Sequence, residues 1–274
     1  MEHCYADING VRLHYVKSGA GPLMILLHGF PEFWYAWREL IPEFAKDHLV
    51  VAPDLRGYNL SSKPADVAQY GIQFLIEDVR ALAQDLGYQQ FTLVGHDWGG
   101  SISWAFAIKN PQYLEKLIIL NAPHPGVFGK LLRDNPEQQK ASEYMTAFQT
   151  PGIENWMAAD HFAALKRAMG FTFAEEERIA YEEAWSQPGA LAAAVNYYRA
   201  RRPTPPGMDL SVHVPTLVLW GERDHALTIY NLDGLDAFVP ALKIKRFPDA
   251  SHWIVHEKPN EVKLAIREFV GTNS

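Results

Sequence analysis

Gly95, Gly99 and Gly100 surround a single acidic residue, Asp97, in the stretch FTLVGHDWGGSI from Phe91 to Ile102. Phe91 to Val94 is a short apolar, β-rich run that reads as a buried strand, and a helical pattern begins at Ile102 and runs to Ile108. A strand that turns sharply into a helix, with a reactive residue at the apex and glycines on both sides, is a nucleophile elbow. The apex here is Asp97 and not Ser. A serine needs a base, and on an sp3 carbon it would form an inert ether. A carboxylate, with an unperturbed pKa of about 3.9, is already ionised at neutral pH and forms an ester that water can cleave. Asp97 therefore points to alkyl transfer onto the protein followed by hydrolysis.

Two further residues bear on that chemistry. Thr216 to Trp220 reads as a strand ending in GERD, which places Asp224 just past its end; Lys243 to Phe247 reads as another, followed by PDASHW with His252 in the loop. Alone, Asp97 could be an ordinary turn or cap residue, Asp224 a solvated turn, and His252 any one of eleven histidines. Nucleophile, acid and histidine after three different strands, in that chain order, favour the catalytic reading.

The elements that must position these groups alternate. Val11, Leu13 and Tyr15 alternate with polar neighbours after the Asn9-Gly10 turn and predict an edge strand. Leu23 to Leu27 is a buried strand running into HGFPE, His28 to Glu32, and a helix is expected from Phe33 with Trp34, Trp37, Leu40, Ile41 and Phe44 on one face. Leu49 to Ala52 is a strand closed by DLRGYNLSSKP. Ile72 to Leu86 is an amphipathic helix ending at Gly87, Leu117 to Leu120 a strand before NAPHP, and Lys258 to Val270 a closing helix. Short apolar strands between amphipathic helices imply an α/β fold with a mostly parallel sheet covered on both faces and its chemistry at the carboxyl ends of the strands.

From 124 to 209 the alternation stops. Helical patterns cover Pro136 to Phe148, Ile153 to Arg167, Ala174 to Ser186 and Leu191 to Ala200. This segment is expected to be an all-helical cap over the strand ends, with 1–123 and 210–274 forming the core.

The 274 residues suffice for a sizeable core, and 48% hydrophobic with 21% charged residues fits a globular protein. A net charge of -7 without a basic block argues against nucleic acid or an anionic membrane as partner. One cysteine, Cys4, excludes an internal disulfide or thiolate metal cluster. With no signal-peptide pattern and no span-length apolar run, the expected location is cytoplasmic. His252, His256 and Glu257 do not form an HExxH pattern, and no phosphate-loop or GxGxxG pattern occurs, so neither metal nor cofactor is expected.

HGFPE, DLRGYNLSSKP, GHDWGG, NYYR, GERD and SHWIVHEKP together resemble the α/β-hydrolase fold and, within it, the soluble epoxide hydrolases, over nearly the whole chain. The resemblance implies Asp97 as nucleophile, His252 as base for water and Asp224 as its orienting acid. It implies the backbone N–H groups of Phe30 and Trp98 as the oxyanion hole, a cis Phe30-Pro31 bond, and two cap tyrosines, Tyr144 and Tyr198, as donors to the epoxide oxygen. His28, Pro31, Trp34, Phe148, Tyr197 and Trp253 are the expected pocket residues. The implied partners are a small hydrophobic epoxide and water, with a homodimer left open. Asn59 in RGYN departs from the Gly often found in relatives, but Asn tolerates the left-handed conformation.

Haloalkane dehalogenases share GHDWGG and would use the same Asp and His, but Phe30 offers no side-chain donor to a halide. A fluoroacetate dehalogenase would be expected to carry Arg after the nucleophile, where this chain has Trp98. A non-catalytic ligand receptor would have no use for the intact Asp97, Asp224 and His252 set.

Overall fold

Eight strands form one sheet in the computed structural model, which describes residues 1–170 and 172–271. They are β1 (Glu2–Ile8), β2 (Val11–Ser18), β3 (Leu23–Leu27), β4 (Leu49–Pro53), β5 (Phe91–His96), β6 (Leu114–Leu120), β7 (Thr216–Gly221) and β8 (Leu242–Phe247), in the spatial order β1-β2-β4-β3-β5-β6-β7-β8. The β1–β2 and β2–β4 pairs are antiparallel and every other pair is parallel. The central strands are buried on both faces, as their continuous apolar runs require. Leu23, Ile25 and Leu27 enter one core cluster, while Met24 and Leu26 enter the other.

Helices α1 (Ile41–Phe44), α2 (Ile72–Asp85), α3 (Trp98–Lys109), α10 (Ile254–Glu257) and α11 (Pro259–Gly271) belong to the sheet layers. Between β6 and β7 the chain forms α4 (Pro125–Asp134), α5 (Pro136–Ala141), α6 (Glu143–Ala147), α7 (Ile153–Met169), α8 (Glu175–Ser186) and α9 (Ala190–Ala200). Among the described residues this excursion contains no strand, and none of the helices is long and apolar enough to cross a membrane.

Several expectations need correction. β2 is not an edge strand, because β1 pairs with it from Val11 to Lys17; in β1 itself only Ala6 is buried, with Cys4 and Ile8 half-buried on the same face, so this outer strand is short of apolar residues. The helix expected from Phe33 is a 3-10 turn over Trp34–Trp37 followed by the four-residue α1. Pro42 sits in the first turn of α1, where its missing N–H is harmless but would break a continuous helix. The expected Pro136–Phe148 helix is divided at Ser142, the N-cap of α6, and α7 is interrupted by non-helical backbone from Ala159 to Phe162.

Candidate active site

Asp97 lies between the last residue of β5 and the first of α3, with φ 52° and ψ −119°. A non-glycine residue in that region costs about 1–3 kcal/mol and has to be held by its surroundings. The close fit is visible at Gly29, where a Cβ would stand 2.3 Å from Asp97 Cβ, and at Gly99, where one would stand 2.1 Å from the Leu27 carbonyl oxygen. Side chains are thus excluded at Gly29 and at Gly99. In return Asp97 Oδ1 accepts the Phe30 N–H at 2.7 Å. The Phe30–Pro31 bond is cis. Trp98 opens α3, a position whose N–H has no intrahelical acceptor.

His252 Nε2 faces Asp97 Oδ2 at 3.6 Å, beyond hydrogen-bond reach, and His252 Nδ1 donates to Asp224 Oδ2 at 2.7 Å. Asp224 also accepts from Asn121 Nδ2 at 2.9 Å and, through Oδ1, from the amides of Ala226 and Leu227 at 2.8 and 2.9 Å. Burial alone would raise the Asp224 pKa, but the His252 charge and these donors bring it below the ordinary carboxylate value. For His252, burial works to lower the pKa, and the charge and hydrogen bond of Asp224, with the nearby Asp97 carboxylate, outweigh it, holding the imidazole well above its usual value.

Above Asp97 stands an aromatic cluster. The Tyr198 ring meets Trp98 at 5.2 Å, Phe30 at 5.6 Å and Phe148 at 5.1 Å, and Tyr144 meets Phe148 at 5.4 Å and Tyr198 at 6.1 Å. Burial, followed by the Asp97 charge, raises both phenol pKa values, so each stays a neutral hydroxyl with a proton to donate.

The remaining pocket expectations divide. Phe148 belongs to the cluster. Trp253 packs edge-on against His252 at 4.9 Å and donates to the Ala168 carbonyl of α7, and the Pro31 carbonyl accepts Trp185 Nε1 of α8 at 2.6 Å, so both join core to cap. His28, Trp34 and Tyr197 make structural contacts. His28 has no exposed surface; its Nε2 accepts the Leu55 N–H and its Nδ1 donates to the Gly29 carbonyl, so it ties two loops together. The Trp34 ring packs on His3, Phe33 and Tyr35, beside the sheet edge. Tyr197 touches Trp98 but sends its hydroxyl away, donating to the Arg56 carbonyl at 2.7 Å. Asn59 does take a left-handed φ of 39°, and its amide donates to Asp54 Oδ2.

Three supporting groups carried no sequence assignment. Asn121, fully buried at the end of β6, donates to the Gly221 carbonyl and to Asp224 and accepts the Gly221 N–H. Glu32, inside HGFPE, is buried beneath His256 Nε2 at 2.5 Å, the Tyr181 hydroxyl at 3.0 Å and His96 Nδ1 at 3.1 Å, and His96 Nε2 in turn donates to the His252 carbonyl. Burial would raise the Glu32 pKa, but the His256 charge and the two histidine hydrogen bonds bring it well below the ordinary value. The third, Gln138, joins α5 to the segment following Asp224.

A family model described as alpha/beta hydrolase fold matches residues 22–259. The chain is 38% identical to Epoxide hydrolase 4 of Mus musculus, over 98% of this chain and 79% of that protein, and 39% identical to AB hydrolase superfamily protein YfhM of Bacillus subtilis (strain 168), over 97% and 96%. It superposes on the crystal structure of Bacillus megaterium epoxide hydrolase in complex with an inhibitor with a TM-score of 0.93, at 40% identity, covering 98% of this chain and all of that one. The chain belongs to the epoxide hydrolases of the α/β-hydrolase fold. In this epoxide hydrolase the carboxyl ends of β5, β7 and β8 lead into the loops that bear Asp97, Asp224 and His252, and α6 and α9 carry the two tyrosines.

Proposed function

We propose that this hydrolase converts small hydrophobic epoxides to vicinal diols through an ester on Asp97, beneath a lid formed by residues 124–209. The observation that carries the reading is the division of the Asp97 carboxylate, with Oδ1 on the Phe30 amide and Oδ2 turned toward His252. Oδ2 attacks an epoxide carbon, the ring C–O bond breaks, and the ring oxygen takes the electron pair while Tyr144 and Tyr198 donate to it. Oδ1 becomes the ester carbonyl oxygen, held by the Phe30 N–H and, in this assignment, by that of Trp98. Water that gives its proton to His252 then attacks the ester carbon, and Oδ2 leaves as part of the diol. The names of the full-length relatives and the inhibitor-bound structure support the substrate class.

Charge explains how a histidine with a raised pKa can act as the base. Before reaction the Asp97 carboxylate is one of the groups that raise His252. Esterification removes that charge, so the His252 pKa falls as the ester forms. A base must be unprotonated, and ester hydrolysis is therefore expected to rise with pH through a lower pKa than that of His252 in the free enzyme. Styrene oxide should yield its diol, with single-turnover hydrolysis rates across pH compared against the NMR titration of the His252 imidazole. Absence of diol would refute the function, and hydrolysis titrating at or above the free-enzyme value would refute the charge argument.

A further inference from the structure

Gln138 lies in the cap, on α5, yet it has no exposed surface and its side-chain amide is fully engaged. Nε2 donates to Ser142 Oγ at 2.9 Å and to the Ala226 carbonyl at 2.8 Å. Oε1 accepts from the Thr228 N–H at 2.9 Å, the Thr228 hydroxyl at 2.9 Å and Asn231 Nδ2 at 2.8 Å. The orientation of the amide is dictated by its partners, since a backbone carbonyl can only accept and a backbone N–H can only donate. No other side chain of that length supplies a donor and an acceptor in this arrangement. Glutamate would set a carboxylate oxygen against the Ala226 carbonyl.

The two ends of this clamp belong to the two halves of the site. Ala226, gripped through its carbonyl, donates its own N–H to Asp224 Oδ1, as Leu227 does beside it. Ser142, gripped through its hydroxyl, is the N-cap of α6, two residues before Tyr144. One buried amide therefore spans from the turn that holds the acid to the helix that carries a lid tyrosine. We infer that Gln138 is a positioning residue that sets Tyr144 relative to the Asp224–His252 pair, coupling the lid to both half-reactions. This rests on the roles proposed above for Tyr144 and Asp224.

The coupling is tested by single turnovers of styrene oxide with excess enzyme, following ester formation and ester decay by rapid quench and intact-protein mass. Gln138→Met removes the whole clamp, and Ser142→Ala removes only the branch to α6. Gln138→Met is expected to slow ring opening by about tenfold or more in the native background but by less than about threefold when Tyr144 is already Phe, because the contribution it positions is then gone. It is also expected to slow ester decay in both backgrounds, through Asp224. Ser142→Ala should slow ring opening alone, and only while Tyr144 is present; if Gln138→Met does not fold, this variant carries the test. Equal slowing of ring opening with and without the tyrosine hydroxyl would mean general damage and would overturn the inference, as would unchanged ring opening in the folded variants. Tyr144→Phe opening the epoxide at the native rate is a separate result, which refutes the tyrosine assignment itself and the coupling with it.

Discussion

Replacing His252 with Gln is expected to turn the enzyme into a trap for its own substrate. On the proposed mechanism ring opening uses Asp97 Oδ2, the Phe30 and Trp98 amides and the lid hydroxyls, none of which His252 supplies, so the ester should still form. Hydrolysis needs a base for water, and loss of a positioned base typically costs about 10²–10⁴-fold. Turnover should fall by that order while a substrate-sized adduct on Asp97 accumulates and is read by intact-protein mass spectrometry. A folded variant that binds styrene oxide and shows no adduct would contradict the covalent route. Glutamine is the suitable replacement because its amide can still meet Asp224 Oδ2, the carboxylate oxygen that His252 Nδ1 occupies at 2.7 Å, without leaving that buried acid short of a donor.

Removing the lid hydroxyls should give the second largest effect, on the other step. The alkoxide leaving an epoxide is basic, and a donor aimed at such an oxygen is typically worth about 2.7–4 kcal/mol, or about 10²–10³ in rate. Tyr144→Phe and Tyr198→Phe are each expected to slow ester formation from styrene oxide to about that extent, with ester decay little changed. The rings remain, and with them the contacts to Trp98, Phe30 and Phe148, so the thermal midpoint should hardly move. Bromide is a far weaker base than an alkoxide, and a bromoalkane would feel the loss much less. Unchanged epoxide opening in both variants would refute the lid assignment, and a native enzyme that released bromide faster than it opened any epoxide would point to the dehalogenase reading instead.

The central strands and the three loops after β5, β7 and β8 are legible in the sequence because their signals are local. Runs of four or five apolar residues mark β3, β5, β6 and β7, a glycine closes the run in β5 and β7, and turn residues follow β8; strand ends are where an open parallel sheet places its chemistry. What was not legible depends on partners far along the chain. Trp34 looks like a pocket residue beside HGFP, but its ring packs on His3 of β1, a strand with one fully buried residue among its seven. Tyr197 and Tyr198 are neighbours on α9, and helical geometry separates them by about 100°; which of them faces Asp97 is fixed only when Tyr197 anchors on Arg56. Asn121 and Gln138 gave no pattern at all. Their amides bond residues about a hundred positions away, and neither the 3.6-residue nor the two-residue period carries that information. Glu32, His96 and His256 lie inside the very blocks that marked the site, yet only the fold brings them together beneath the His252 carbonyl.

The central claim is that Asp97 itself supplies the oxygen added to the substrate. On this proposal water enters at the ester carbon, so in the first turnover the new diol oxygen is Oδ2 and the solvent oxygen stays behind in the carboxylate. Direct attack of His252-activated water on the epoxide would reverse both outcomes, and the Asp97 carboxyl group 3.6 Å from His252 Nε2 stands where that water would have to attack. The measurement is a single turnover of styrene oxide with excess enzyme in 18O-water, followed by mass analysis of the diol and of the peptide containing Asp97. The expected result is an unlabelled first diol with 18O in Asp97; a labelled first diol with an unlabelled Asp97 would contradict the account.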